Sequence, residues 1–284
     1  MEKSISYLIR ICLFFLLLYA SFVPIEAATL QVCSITPQDT ISSYISHLLN
    51  KNADNPNVEN TKFVQKKVFL TFDDGPSITN TSKIIEILKK NNIKATFFVV
   101  GTKIERYPDI VKEMSDNKMS ICVHTYSHDY DRIYKSVDSF LEDIDKCNAA
   151  IKKITGKKVT PYVRLPGGSD NLVSGAGKMK KIRAALKDKN IRYVDWNVSS
   201  GDALSHLVPT YKLEKNVISQ CKNKTTAVVL MHDAYYKTTT VEALPAIISS
   251  LKQQGFVFET FDNITPKEEA SLIKIRVINR GAKN

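Results

Sequence analysis

From Val68 to Thr260 the chain alternates β-type runs with helical patterns, and this alternation restricts the fold more than any other feature. Strands are expected at Val68–Phe72, Ala95–Val100, Ser120–Val123, Tyr162–Arg164, Tyr193–Val198, Thr226–Met231 and Phe256–Thr260. Helical patterns run between them over Thr81–Asn91, Pro108–Asn117, Lys178–Lys187, Thr210–Cys221 and Val241–Gln254. A longer one, capped by Ser136 and ended by Gly156, carries Phe140, Leu141, Ile144, Cys147, Ile151 and Ile154 on its apolar face. Such alternation means a parallel sheet with covering helices, either open or closed into a barrel. There is no internal repeat and no GxGxxG fingerprint, so a dinucleotide fold has no support beyond the alternation itself.

The residues suited to catalysis gather where strands end. Asp73-Asp74-Gly75-Pro76 follows the first strand and His124-Thr125-Tyr126-Ser127-His128 the third. Arg164-Leu165-Pro166-Gly167-Gly168, Asp202 and His232-Asp233 follow later ones. In a parallel barrel these ends share one rim, the usual place for an active site. Asp-Asp-Gly-Pro is also good turn chemistry, so on its own that stretch is either a turn or a site. Adjacent strand residues point to opposite sides, which lets one carboxylate hold a cation while the other moves a proton. His124 and His128 can present their imidazoles together if the loop makes one helical turn. With a carboxylate they form a three-ligand set that leaves positions open for water and substrate. His47 and His206 have no such partners and read as surface residues.

These five motifs, in this order, resemble those of the polysaccharide deacetylases, the NodB-homology domain of carbohydrate esterase family 4, over about residues 62–262. The resemblance implies a distorted (β/α) barrel that removes acetyl groups from peptidoglycan, chitin or related glycans with a divalent metal. By position it implies Asp73 as catalytic base, held by Arg164. Asp74, His124 and His128 become the metal ligands, with Zn²⁺ expected and Co²⁺ or another divalent ion compatible. It makes His232 the general acid, oriented by Asp202. Leu230 and Trp196 would wall the acetyl pocket, and the Gly167 N–H would face the oxyanion. The chain departs from the family's common pattern with Cys122-Val123 before the first histidine, Ala203 after Asp202, and Ser199 in place of an acidic residue. The last two changes reshape the substrate cleft. The implied activity is N-deacetylation of N-acetylglucosamine- or N-acetylmuramic-type glycans. The alternatives are an O-acetyl esterase acting on xylan and an inactive glycan-binding module of the cell envelope.

The remaining segments concern location. Residues 1–27 read as a signal peptide or N-terminal anchor: Lys3 and Arg10 precede an apolar run from Ile11 to Val23, and small residues follow at Ala27-Ala28. Residues 28–61 are a polar, Asn-rich spacer, 62–262 the catalytic domain, and 263–284 a charged, peripheral tail. A secreted or envelope-associated monomer is expected. Lys and Arg number 40 against 29 Asp and Glu, a net charge of +11. That surface is either simply solvated or attracts anionic cell-wall polymers. No aromatic-studded basic stripe points to nucleic acid. Cys33, Cys122, Cys147 and Cys221 allow several pairings, with Cys147 read as a buried free thiol.

Overall fold

The computed structural model describes residues 64–281. The expected leader (residues 1–27) and the whole expected spacer (28–61), with Cys33 and His47, lie outside the described residues. Eight strands form one parallel sheet: β1 (Lys66–Gly75), β2 (Thr96–Val100), β3 (Ser120–Thr125), β4 (Tyr162–Val163), β5 (Arg192–Tyr193), β6 (Val198–Ser199), β7 (Thr226–His232) and β8 (Phe256–Phe258). The order is β5-β4-β3-β2-β1-β7-β6, and β8 pairs with the start of β1 beside the stretch that β2 takes. The helices are α1 (Thr81–Lys90), α2 (Gly101–Arg106), α3 (Pro108–Asp116), α4 (Tyr130–Ile133), α5 (Val137–Thr155), α6 (Ala176–Asp188), α7 (Thr210–Cys221), α8 (Thr238–Gln253) and α9 (Pro266–Lys274).

Side-chain alternation divides the core in two. Val68, Leu70 and Phe72 of β1, Phe97 and Val99 of β2, and Val229 and Met231 of β7 pack with the helices, Ile84, Ile144 and Leu244 among them. Their strand neighbours Phe69, Phe98, Cys122, Tyr162 and Val228 face the other way and form a second cluster inside the curled sheet. The predicted caps of α5 hold: the Ser136 side chain accepts from the Ser139 N–H, and Gly156 takes a left-handed conformation with φ 66°.

Two expectations change. The run Tyr193–Val198 is not one strand. β5 ends at Tyr193 and β6 begins at Val198, and no pairing joins them among the described residues, so the barrel has a seam. The segment from Lys267 is not a peripheral tail. Helix α9 begins with a reciprocal cap between Thr265 and Glu268, and Leu272, Val277 and Ile278 are buried in the inner cluster. Beyond it the chain runs antiparallel to β5 at the seam, with Asp195 N–H donating to Val277 O at 2.8 Å and Asn279 N–H to Tyr193 O at 2.9 Å. The charged residues conceal a few apolar side chains that fill the barrel's interior. Leu272→Ala is therefore expected to cost ~2–5 kcal/mol in urea unfolding, whereas exposed Lys267→Ala changes stability by less than ~0.5 kcal/mol.

Candidate active site

The same alternation places the reactive side chains. Asp73 lies on the face of β1 that carries Phe69, two residues beyond Thr71; His124 follows Cys122 on β3, Arg164 follows Tyr162, and His232 ends the face of β7 that carries Val228 and Leu230. Asp73, His124 and His232 sit within the last positions of their strands rather than just past them, as the shorter predicted strands had implied, whereas Arg164 lies just past β4. Asp73 is directly paired with His232 across β1 and β7.

Asp74 interrupts the alternation. It takes φ 73°, and the β1–β2 register passes from Asp73 to Gly75 without it. The bulge turns its carboxylate toward His124 and His128, whose Nε2 atoms lie 3.4 and 3.1 Å from Asp74 Oδ1. All three ligand atoms fall within 4.8 Å of one another. The Nδ1 atom of His124 is 2.7 Å from the Arg164 carbonyl oxygen, which can only accept, so Nδ1 carries the proton. In its neutral form the ring points the lone pair of Nε2 at a carboxylate oxygen. Two acceptors at that separation repel unless a cation lies between them, and a histidine fixed by a carbonyl in this way is the usual metal-ligand arrangement. The donor set thus fits a divalent ion. Burial works to raise the Asp74 pKa, but the two imidazoles outweigh it and hold the carboxylate well below its ordinary range.

Arg164 is fully buried. Its Nη1 donates to Asp73 Oδ1 at 2.8 Å and to Thr71 Oγ1 at 2.7 Å, Nε to Val194 O and Nη2 to Asp195 O, while Phe98 underlies the guanidinium at 4.2 Å. On the other flank His232 Nδ1 lies 2.8 Å from Asp202 Oδ1. Asp202 also accepts from the His232 N–H and from Thr240 Oγ1. Burial opposes the charged imidazole, yet the Asp202 carboxylate, helped by Asp73 and Asp74, lifts the His232 pKa from 6.5 to about 9. Asp202 moves down in response, its bonds to His232 outweighing burial.

The polysaccharide deacetylase family model matches residues 60–194. A peptidoglycan-N-acetylglucosamine deacetylase of Bacillus cereus is 31% identical over 206 residues, covering 71% of this chain and 70% of that protein. The chain belongs to the polysaccharide deacetylase family. The peptidoglycan-N-acetylmuramic acid deacetylase PdaA of Bacillus subtilis is 29% identical over 215 residues, 75% of this chain and 76% of that protein. Among solved structures, the catalytic domain of peptidoglycan N-acetylglucosamine deacetylase from Eubacterium rectale superposes with a TM-score of 0.65 at 36% identity, covering 71% of this chain and 89% of that one.

Within this deacetylase fold, Leu230 is buried opposite Thr71, Trp196 packs against the inner cluster, and Gly167 stands exposed with φ 77°. His206 is on the surface and stacks on Tyr236. Three buried carboxylates were given no role by the sequence. Asp143 of α5 accepts from the Tyr126 and Ser127 N–H groups and from Ser127 Oγ, which fixes the loop between the two histidines. Its signal was an acidic residue on the apolar face of α5, beside Phe140 and Ile144. Asp195 holds Ser169 through its N–H and hydroxyl, anchoring the loop that bears Gly167, and nothing in the sequence marked it. Asp233 lies under Gly75, where an added Cβ would come within 2.1 Å of its Oδ2, so that position admits only glycine. Burial pushes Asp233 up to about 7, with Asp74 and Asp73 adding to it and Thr81 and Lys103 opposing.

Calorimetric titration with Zn²⁺ is expected to show one site that weakens at least ~10-fold in His124→Ala and Asp74→Ala. The raised His232 pKa also fixes a sign. Its stabilising contribution is complete below about pH 6.5 and disappears as pH rises through about 9. Asp202→Asn should therefore destabilise the fold more at pH 6 than at pH 10, measured by urea unfolding.

Proposed function

We propose that this chain is a cation-dependent N-deacetylase of the cell envelope, acting on N-acetylated glycans of the peptidoglycan or chitin type. The observation that carries this reading is the pairing of Asp73 with His232 on adjoining strands, with the Asp74–His124–His128 cluster beside them. Amide hydrolysis needs an activated water, stabilisation of charge on the carbonyl oxygen, and a proton for the departing amine. Asp74, His124 and His128 are the residues that would hold a divalent ion, with Zn²⁺ favoured by two imidazoles and one carboxylate. Such an ion supplies polarisation of the acetyl carbonyl and a water acidified to a pKa near ~7.

The chain's own groups do the rest. Asp73 is bound and aimed by the Arg164 guanidinium, and it takes the proton from the attacking water. Gly167 offers its N–H to the carbonyl oxygen as charge develops there. His232 is protonated at neutral pH and gives its proton to the leaving nitrogen, while Asp202 holds the ring in position. Leu230 and Trp196 enclose the acetyl methyl. Relatives named for peptidoglycan support a cell-wall substrate and an envelope location. The basic surface favours anionic wall polymers as well: Lys94, Lys118, Lys157 and Lys158 line a cavity of about 440 Å³ at the opposite end of the sheet. A glycan-binding module without activity would not need a carboxylate and a charged imidazole side by side, and the pairing of Asp73 with His232 supports an enzyme.

The test is acetate release from N-acetylglucosamine oligomers and peptidoglycan, with acetylated xylan as the ester control. Release is expected on the amide substrates, abolished by chelator and restored by Zn²⁺ or Co²⁺. Asp73→Asn should lower kcat by ~10²–10⁴-fold. Loss of the His232 proton should make kcat fall above about pH 9, and Asp202→Asn should move that limb to lower pH. Release from xylan alone would replace this reading with the esterase.

A further inference from the structure

Gly167 has an exposed backbone and no side chain, yet the space beside it is occupied. A Cβ added there would lie 3.3 Å from the hydroxyl of Tyr130, a residue from the loop after β3. The Tyr130 ring is fixed in place. It meets His128 edge-on, with centroids 5.6 Å apart at 78°, and Tyr134 at 5.7 Å and 70°. Tyr134 in turn stacks on Phe140 and donates its own hydroxyl to Pro166 O at 2.7 Å. The tyrosine pair and the loop bearing Gly167 are thus one packed unit. Within it the hydroxyl of half-buried Tyr130 makes no hydrogen bond to another described residue, which leaves it free to meet a ligand.

The Tyr130 ring therefore reaches from an imidazole of the ligand cluster to Gly167, whose N–H is assigned above to the carbonyl oxygen. We propose that Tyr130 is a further catalytic residue, its hydroxyl donating a hydrogen bond to the substrate's acetyl carbonyl oxygen beside the Gly167 N–H. The inference rests on the deacetylase reading. A phenol keeps its proton throughout the neutral range, so the group can serve as a donor. No proton is transferred: the hydrogen bond strengthens as charge grows on the oxygen and relaxes when acetate forms. The bare Gly167 is the complement of this arrangement. At φ 77° a side chain there is strained, and its first carbon would press on the hydroxyl.

The test is Tyr130→Phe, which keeps the ring and its packing and removes only the donor. On N-acetylglucosamine pentamer with Zn²⁺-loaded protein, kcat is expected to fall about 10–100-fold with KM within about threefold and Tm unchanged; a single donor of this kind is worth ~10²–10³-fold in kcat at the upper end. An unchanged kcat, or a rise in KM alone, overturns the proposal. Calorimetric titration with acetate reads the same contact without turnover, and the variant is expected to bind it about 5–10-fold more weakly than wild type. If wild-type protein releases no acetate from any acetylated glycan, the deacetylase reading fails on that result. The acetate titration then decides Tyr130: equal affinities overturn it, and weaker binding by Tyr130→Phe sustains it.

Discussion

Arg164 is the residue on which the rest of the site depends. Its side chain is fully buried and reaches β1, where Nη1 grips Asp73 and Thr71, while Nε and Nη2 reach the Val194 and Asp195 carbonyls at the seam. Its backbone carbonyl meanwhile sets the tautomer of His124. One residue thus orients Asp73, fixes the ring of His124 and ties together strands on either side of the concave face. A buried guanidinium is tolerated because four of its N–H bonds are made and a carboxylate accompanies it. Removing either partner leaves an uncompensated charge worth ~3–5 kcal/mol. The placement of Asp73 and the stability of the interior therefore rest on the same set of contacts.

Around that centre, adjacent residues are made to do different work. Asp73 keeps the strand's alternation and faces Arg164, whereas the bulge at Asp74 diverts the next carboxylate to the histidines. The two imidazole sites differ as well. Nδ1 of His124 is bound by a carbonyl, which fixes its tautomer, and His232 is held charged by Asp202. A carbonyl can only accept and adds no charge, so it leaves a lone pair free for a cation. A carboxylate stabilises the proton itself and makes an acid.

Much of this was legible in the chain. The strand–helix alternation gave the parallel sheet because each strand carries apolar residues on both faces, and each reactive residue fell at a strand end because polar groups there escape the core. Asp73, Asp74, His124, His128, Arg164, Asp202 and His232 do converge. What stayed hidden has physical causes. A left-handed aspartate costs energy that only the finished site offsets, so no local propensity announces Asp74. The break between Tyr193 and Val198 comes from the curl of the whole sheet. The burial of Leu272, Val277 and Ile278 depends on a seam that exists only once the barrel has formed. Asp195 and Tyr130 work through loops distant in sequence, and spacing carries no record of them.

The central claim is that His124 presents an unprotonated Nε2 to Asp74 and so creates a site for a dication. The most direct measurement is long-range ¹H–¹⁵N correlation NMR on histidine-labelled protein, with and without Zn²⁺. The account predicts that His124 is the Nδ1–H tautomer in both states and that its Nε2 resonance shifts on adding metal, together with one nitrogen of His128. A His124 protonated at Nε2, with nitrogen shifts indifferent to Zn²⁺, would contradict it.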